Sequence, residues 1–489
     1  MRLFSNPALC SGVLVLLTWQ SIPLPHILPK KPNEPAKTEG RNPLAVDWVL
    51  RARYVVTMDD RHRIIDQGAV AISGSRIVAV GTQKDLARFQ PKHTLDKPDA
   101  LLAPGLIDTH THAPMSLLRG LAEDKRLEDW LKNYIFPAES KNVTADFVQA
   151  GTRLACVEMV LAGITTYTDM YYFEDAEAEA AKEVGVRGVL GQTIIGFPAP
   201  DYRSWQETLT RAERYLRKYG KDELITPALA PHAIYTTPDE ALIAAHTLAV
   251  KYDAPLLIHL AEIAQERDDA LTKRNMTPVQ VLEKLGVLDG RVVAAHAIYL
   301  DDNDIEILRK HGTGVAHCPS SNTKMAAGIA HVTEMLKAGL HVGLGTDGFA
   351  GSNDSADLFR EMDLAAKLQK VSRMDPTVLP AEQVFEMATM GGARALGMDS
   401  QIGSLEEGKK ADVIAVTLNG AHDVPLAENL YAQMVHAGQA SDVEDVFING
   451  RQVVAERKVL TVDTQAIYRK AREYRQRISE NQPRTEQRQ

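Results

Sequence analysis

Between residues 104 and 348 the chain alternates short apolar, β-branched runs with helical patterns, and few folds accept such an alternation. Eight runs read as strands: residues 104–112, 163–170, 187–195, 225–233, 254–262, 292–299, 312–319 and 341–348. Helical stretches lie between and after them. One spans 144–161, with Phe147, Leu154, Val157 and Leu161 on one face and Gly163 as its stop. Ser204-x-x-Glu207 is a capping box opening a helix to Lys218, ahead of Gly220. Residues 358–368 and 381–390 give two more. Strand–helix alternation predicts parallel strands, and eight of them predict a (β/α)8 TIM barrel, with its chemistry at the C-terminal ends of the strands.

Both flanks of this region have the texture of a sheet. Residues 48–58, 68–74 and 76–81 are rich in β-branched residues, with Ser73-Gly74-Ser75 as a hairpin turn. Residues 411–416 form another strand, and 445–455 a hairpin about Asn449-Gly450, a type I′ pair. Two such segments on either side of a barrel predict one small β-sandwich assembled from both chain ends. The expected organisation is a leader over 1–45, the N-terminal sandwich segment over 46–103, the barrel over 104–398, the C-terminal sandwich segment over 399–460, and a helix with a polar tail over 461–489. The leader places an apolar run, Leu9 to Trp19, before a Pro- and Lys-rich stretch. It resembles a signal peptide or short anchor, yet has one basic residue at its start and no clear cleavage site. The protein is exported or membrane-anchored if that leader works as a signal, and cytoplasmic if it does not.

Six of the histidines sit where the barrel rule places chemistry. Strand one ends in His110 and His112, strand four in His232, strand five in His259-Leu-Ala-Glu262, strand six in His296 and strand seven in His317. Strand eight ends in Thr346-Asp347. Residues i and i+2 of a strand share a side, so His110 and His112 face one way. With His259 and Asp347 they make a candidate metal set, imidazole being among the commonest ligands. His317 reads more simply as a satisfied residue of the rim. The three cysteines, Cys10, Cys156 and Cys318, are scattered and form no disulfide framework; Cys156 falls in a helical pattern and reads as packing. With 55 Lys plus Arg against 64 Asp plus Glu, the net charge of −9 gives no electrostatic case for nucleic acid as a partner.

The segments THTHAPMSLLRGLAEDKRLEDWL, HLAEI, AAHAIYL, HCPSSNTKMAAGIA and GLGTDGFAGSNDSADLFREM carry a resemblance to the amidohydrolase superfamily over about residues 47 to 460. Within it the chain is similar to the 5′-methylthioadenosine/S-adenosylhomocysteine deaminases. The resemblance implies a barrel, a split β-sandwich, and one divalent metal on His110, His112, His259 and Asp347, with zinc first and iron, manganese or nickel as alternatives. It implies hydrolytic deamination of an adenosine-type nucleoside. Asp347 accepts the proton of the attacking water, Glu262 carries a proton to the ring and to the leaving amine, and His296 steadies the attacking oxygen. Binuclear relatives carry a lysine at the end of strand four; ITPALAPHA has none, which favours one metal.

For the substrate, the resemblance places Glu139 on the ribose hydroxyls and His232 beside it. An exposed Glu at a helix start is the competing reading of Glu139. Trp130 either stacks on the adenine end or packs structurally. Gln192 stands where well-known members carry an arginine, and Arg203 matches a second arginine only after a gap, so use of S-adenosylhomocysteine is in doubt relative to methylthioadenosine or adenosine. Two other readings stay open: an aminohydrolase or chlorohydrolase of another N-heterocycle (pterin, guanine derivative or s-triazine), and a non-catalytic metal-binding protein on the same scaffold. The expected partner is a small nucleoside. A homo-oligomer is expected from the family, and membrane contact only through the leader.

Overall fold

The structure, a computed structural model, describes residues 44–480. The leader expected over 1–45 lies almost wholly outside them. Eight parallel strands form the closed barrel: Leu106–His112, Ile164–Tyr171, Arg187–Ile194, Ile225–Pro231, Leu256–Leu260, Val292–His296, Gly314–His317 and Val342–Leu344. The last pairs with the first through Leu344 and Asp108, which closes the ring. A two-residue strand, Asp347–Gly348, adds to the first beside Thr111 and His112. All eight predicted strands are present, each within a few residues of its expected bounds. Ile107, Val189, Ala228, Leu257, Val293 and Ala316 fill the interior, so the barrel is packed rather than hollow.

The helices follow the local signals. Thr144 caps Ala145–Leu161 by accepting from the Phe147 N–H at 3.2 Å, and Gly163 ends that segment with φ +81°. Ser204 caps Trp205–Tyr219 by accepting from the Glu207 N–H. Residues 358–368 belong to a longer helix, Leu358–Arg373, while the helix expected over 381–390 ends earlier, as Ala381–Met387, and Met390 opens a separate one. Among the described residues no helix is long and apolar enough to cross a membrane.

A second, mixed sheet of nine strands joins both ends of the described chain. Its centre is a strand that the local sequence pattern did not predict, Phe89–Pro104. That strand pairs in parallel with Leu44–Val56 and antiparallel with Val413–Thr417. Leu50, Val70, Ile77, Leu102, Val413 and Phe447 bury together, and Trp48 meets Phe447 edge-on at 5.1 Å, so the sheet curls around a core of its own. The Asn449-Gly450 turn has φ of 51° and 77°, as a type I′ hairpin requires.

Phe89–Pro104 runs on through Gly105 into the first barrel strand. A Cβ on Gly105 would lie 2.1 Å from Thr165 Oγ1, so only glycine passes there. Close by, Arg187 at the start of the third barrel strand donates to both carboxylate oxygens of Asp412 at 3.0–3.2 Å, with both side chains buried. Removing one partner would strand a buried charge, a loss of about 3–5 kcal/mol. Sheet and barrel are joined at the N-terminal end of the strands, opposite the site.

Candidate active site

His110, His112 and His259 converge, with their ligand nitrogens within 4.8 Å of one another. Asp347 Oδ1 lies 3.4 Å from Nε2 of both His110 and His112. The side-chain protons can be assigned from the partners. His112 Nδ1 donates to the Met170 carbonyl at 2.8 Å, and His259 Nδ1 to the His232 carbonyl at 2.9 Å. A carbonyl only accepts, so in each neutral ring the other nitrogen is bare. Yet the two Nε2 atoms face one another at 3.3 Å, and His110 Nε2 is buried without a partner. Facing lone pairs beside a carboxylate require a positive charge between them. In protonic terms the demand falls on His112: burial opposes its charge, but the hydrogen bond to the Asp347 carboxylate prevails and lifts it to about 9. Burial holds His110 down at about 4 and pushes His259 well below its ordinary value. Asp347 is held well below the usual carboxylate range, because the two rings outweigh the effect of burial. Three ring nitrogens and one carboxylate are a donor set suited to a divalent zinc-like ion.

Buried hydrogen bonds hold these ligands from behind. Asp108 accepts from Thr346 N–H at 3.0 Å and Thr346 Oγ1 at 2.6 Å, locking strand eight onto strand one. Asp169 accepts from Thr111 Oγ1 at 2.6 Å and Ala113 N–H at 2.5 Å, so it grips the chain on either side of His112. Ser321 Oγ donates to Asp347 Oδ2 at 2.5 Å. Asp347, His296 and Ala261 take left-handed φ of 64°, 72° and 53°, an unfavourable backbone for residues with a Cβ and a mark of functional strand ends.

Glu262 and His296 stand next to the metal-ligand cluster. Glu262 Oε1 lies 3.8 Å from His296 Nε2, and burial raises the Glu262 carboxyl. The Glu262 N–H donates to Glu266 Oε2 at 2.9 Å. His296 Nδ1 lies 2.9 Å from Asn322 Oδ1. The pocket in front is lined by Trp130, Glu139, Thr193 and His232 together with Glu262 and Asp347. Glu139 is only 4% exposed, which removes the reading of an exposed helix-start residue. Burial lifts its carboxyl to about 7, and the Tyr171 hydroxyl partly offsets this. His232 Nδ1 lies 2.9 Å from Thr236 Oγ1, and burial takes the ring down to about 3, so it is neutral.

Four expectations need correction or refinement. His317 is no satisfied rim residue: it is 1% exposed, neither ring nitrogen has a hydrogen-bond partner, and burial lowers it to about 3. Gln192 does not line the pocket. Its neighbour Thr193 does, and successive strand residues face opposite ways, so the Gln192 amide instead donates to Asp201 at 3.1 Å. Arg203 precedes the Ser204 cap on an exposed helix start and is not brought to the pocket. Trp130 does line it, but its Nε1–H is spent on the Ala350 carbonyl at 2.9 Å, a structural anchor. The clamps Asp108 and Asp169 were not singled out by sequence; the one available signal was an acidic residue at each of two strand ends next to the first pair of histidines.

Residues 101–453 match the amidohydrolase family. The chain belongs to that family. Among curated relatives of the family, 5-methylthioadenosine/S-adenosylhomocysteine deaminase 1 of Syntrophus aciditrophicus is 43% identical over 437 residues, covering 89% of this chain and 98% of that protein. Among solved structures, an adenosine deaminase from Xanthomonas campestris with bound zinc is 37% identical, with a TM-score of 0.87 over 90% of this chain and 100% of that one. An atrazine chlorohydrolase from Arthrobacter aurescens complexed with zinc is 26% identical, with a TM-score of 0.81 over 88% of this chain and 100% of that one. Family membership makes this chain a hydrolase, and the deaminase relatives direct it to C–N bonds.

Proposed function

We propose that this protein is a zinc-dependent aminohydrolase of adenosine-type nucleosides, converting them to the inosine analogue and ammonia. The observation that carries the reading is the union of two features in one pocket: a ligand cluster that demands a cation, and a buried carboxylate, Glu139, facing the same cavity. His110, His112, His259 and Asp347 would hold the metal. A divalent ion there acidifies water and supplies a nucleophile near neutral pH.

The rest is the work of the chain. Glu262, whose carboxyl burial raises, donates in its protonated form to the ring nitrogen next to the amino-bearing carbon as water oxygen adds to that carbon. Asp347 takes the water's proton. That proton passes to the amino group, the C–N bond breaks, ammonia leaves, and the new hydroxyl returns its proton to Glu262 as the carbonyl forms. His296 donates from Nε2 to the oxygen that gains charge. This tautomer follows if the Asn322 amide is turned so that Nδ2 faces the ring, and that nitrogen is otherwise buried without a partner. Glu139 accepts from the two ribose hydroxyls, with His232 beside it. An s-triazine or free base has no use for Glu139, which argues against the heterocycle alternatives; Glu262 and His296 argue against a non-catalytic protein. Zinc-loaded protein incubated with adenosine, methylthioadenosine and guanine should release ammonia from the nucleosides and not from guanine. Release from guanine alone, or from none, overturns the reading.

A further inference from the structure

We propose that Glu361, on a helix outside the barrel strands, is a positioning residue of the active site that sets Asp347 and His296 together. This rests on the roles given above to those two residues. Glu361 lies in the first turn of the helix Leu358–Arg373 and is 1% exposed. Among the described residues no Lys or Arg pairs with it, although a buried carboxylate without a cation is costly. Its oxygens accept from N–H groups instead. Oε2 accepts from the Ser320 N–H at 2.9 Å, and Oε1 from the Asn353 side-chain amide at 2.9 Å. One buried group therefore joins the segment after strand seven to the segment after strand eight.

The strand-eight branch reaches Asp347. Asn353 Nδ2 also donates to the Thr346 carbonyl at 2.7 Å, and the Asn353 backbone N–H donates to the Gly348 carbonyl at 3.0 Å. Asn353 thus holds the backbone on both sides of Asp347. With both amide protons on oxygen acceptors, the orientation of the Asn353 amide is fixed. Asp347 takes φ +64°, an unfavourable backbone that persists only where its surroundings over-determine it. Asp108 and Asn353 supply that constraint, and Glu361 holds Asn353 in place.

The strand-seven branch reaches both groups. Pro319–Lys324 is a helix of 6 residues, too short to keep its place by its own hydrogen bonds. Its Ser321 hydroxyl donates to Asp347 Oδ2 at 2.5 Å, and its Asn322 side chain lies 2.9 Å from His296 Nδ1. Ser320, just before them, is the residue that Glu361 binds. A shift of this helix by about 1 Å would move Asp347 and the His296 ring at once, and displacements of that size cost about 10²-fold in rate. Ser321 and Asn322 each hold one group. Glu361 touches no reacting atom, yet through this helix and Asn353 it reaches two of the groups that do.

The test uses the full chain as wild type, Glu361→Gln, Asn353→Ala and the double variant. A Gln amide offers a single acceptor oxygen, so one of the N–H partners of Glu361 loses its bond. The zinc Kd is read by chelator competition, which needs no turnover. Turnover is read as ammonia release from adenosine, methylthioadenosine and S-adenosylhomocysteine at saturating zinc. Glu361→Gln should raise the zinc Kd by about tenfold and lower kcat by about 10–100-fold even with zinc saturating, while KM stays within about twofold. Asn353→Ala should act in the same direction, and the double variant should lose no more than the worse single one, as one connected network requires. Melting curves report folding. Asn353 is half-buried, so Asn353→Ala carries the test where Glu361→Gln does not fold. Zinc Kd and kcat both within about twofold of wild type overturn the proposal, as does a loss confined to KM or losses that multiply in the double variant. A change in only one of zinc Kd and kcat overturns the joint placement of Asp347 and His296. Absence of turnover by the wild type with every nucleoside would sink the reaction instead, and the zinc Kd values alone then decide the role of Glu361.

Discussion

The metal end of the pocket and its mouth are built in opposite ways. At the metal end the functional groups sit at strand termini and are held from behind by the buried carboxylates Asp108 and Asp169, the Ser321 hydroxyl, the His232 carbonyl or the Asn322 amide. At the mouth the walls come from the excursion after strand one, with its π-helical turn Trp130–Ile135, and from the partly exposed rings of Phe197 and Tyr235. The metal end has one arrangement because its polar groups have few alternatives in a low dielectric. The mouth is held by packing and surface ion pairs, which permit exchange at small energetic expense. Chemistry is thus fixed where backbone and buried hydrogen bonds are rigid, and selectivity is left where side chains can be replaced.

Substitutions at graded distances from the metal sharpen this contrast. The largest effect belongs to Glu262→Gln, expected to lower kcat by about 10²–10⁴-fold while zinc content stays stoichiometric. Because burial raises the Glu262 carboxyl and the protonated form is the active one, wild-type kcat should fall as pH rises through that raised value. A Glu262→Gln enzyme with near wild-type kcat would remove the proton shuttle from the mechanism. Asp169→Asn comes next. It touches no reacting atom, so it should weaken zinc affinity by about 10–100-fold in a chelator competition, with excess zinc restoring kcat. Unchanged affinity would mean that the strand-end backbone alone fixes His112, and the contrast would lose its clearest support. Glu139→Gln should raise KM for nucleosides by about tenfold with a much smaller change in kcat, as expected of a lost charged hydrogen bond on the sugar. At the far end, Arg203→Ala should leave kcat/KM for all three nucleosides within about twofold, an exposed residue away from the pocket having little to lose. A larger loss would show that this helix start folds over the mouth when substrate binds.

The two ends also differ in how far they could be read from residues alone. The barrel was legible because each strand is a short apolar run, and the candidate metal ligands because histidines recur at the ends of those runs. The pocket beyond was not. Gln192 and Arg203 were placed by analogy of position, and a one-residue change of strand parity turns a side chain from the pocket to the outside. Phe89–Pro104 escaped notice because Pro91, Pro98 and alternating exposed residues give it the look of a linker. Its pairing with Leu44–Val56 is set by contacts distant in sequence. The burial of His317 and Glu139 likewise follows from tertiary packing, which local pattern does not encode.

The clamp between Asp108 and Thr346 spans 238 residues of chain. The first two metal ligands therefore emerge early in synthesis, whereas the carboxylate that completes the set is among the last residues of the barrel. A chain ending before Thr346 would carry three of the four candidate ligands and lack both the carboxylate and the Asp108–Thr346 clamp. The ligand set and the strand ring are thus completed by the same short stretch of chain, at the eighth strand.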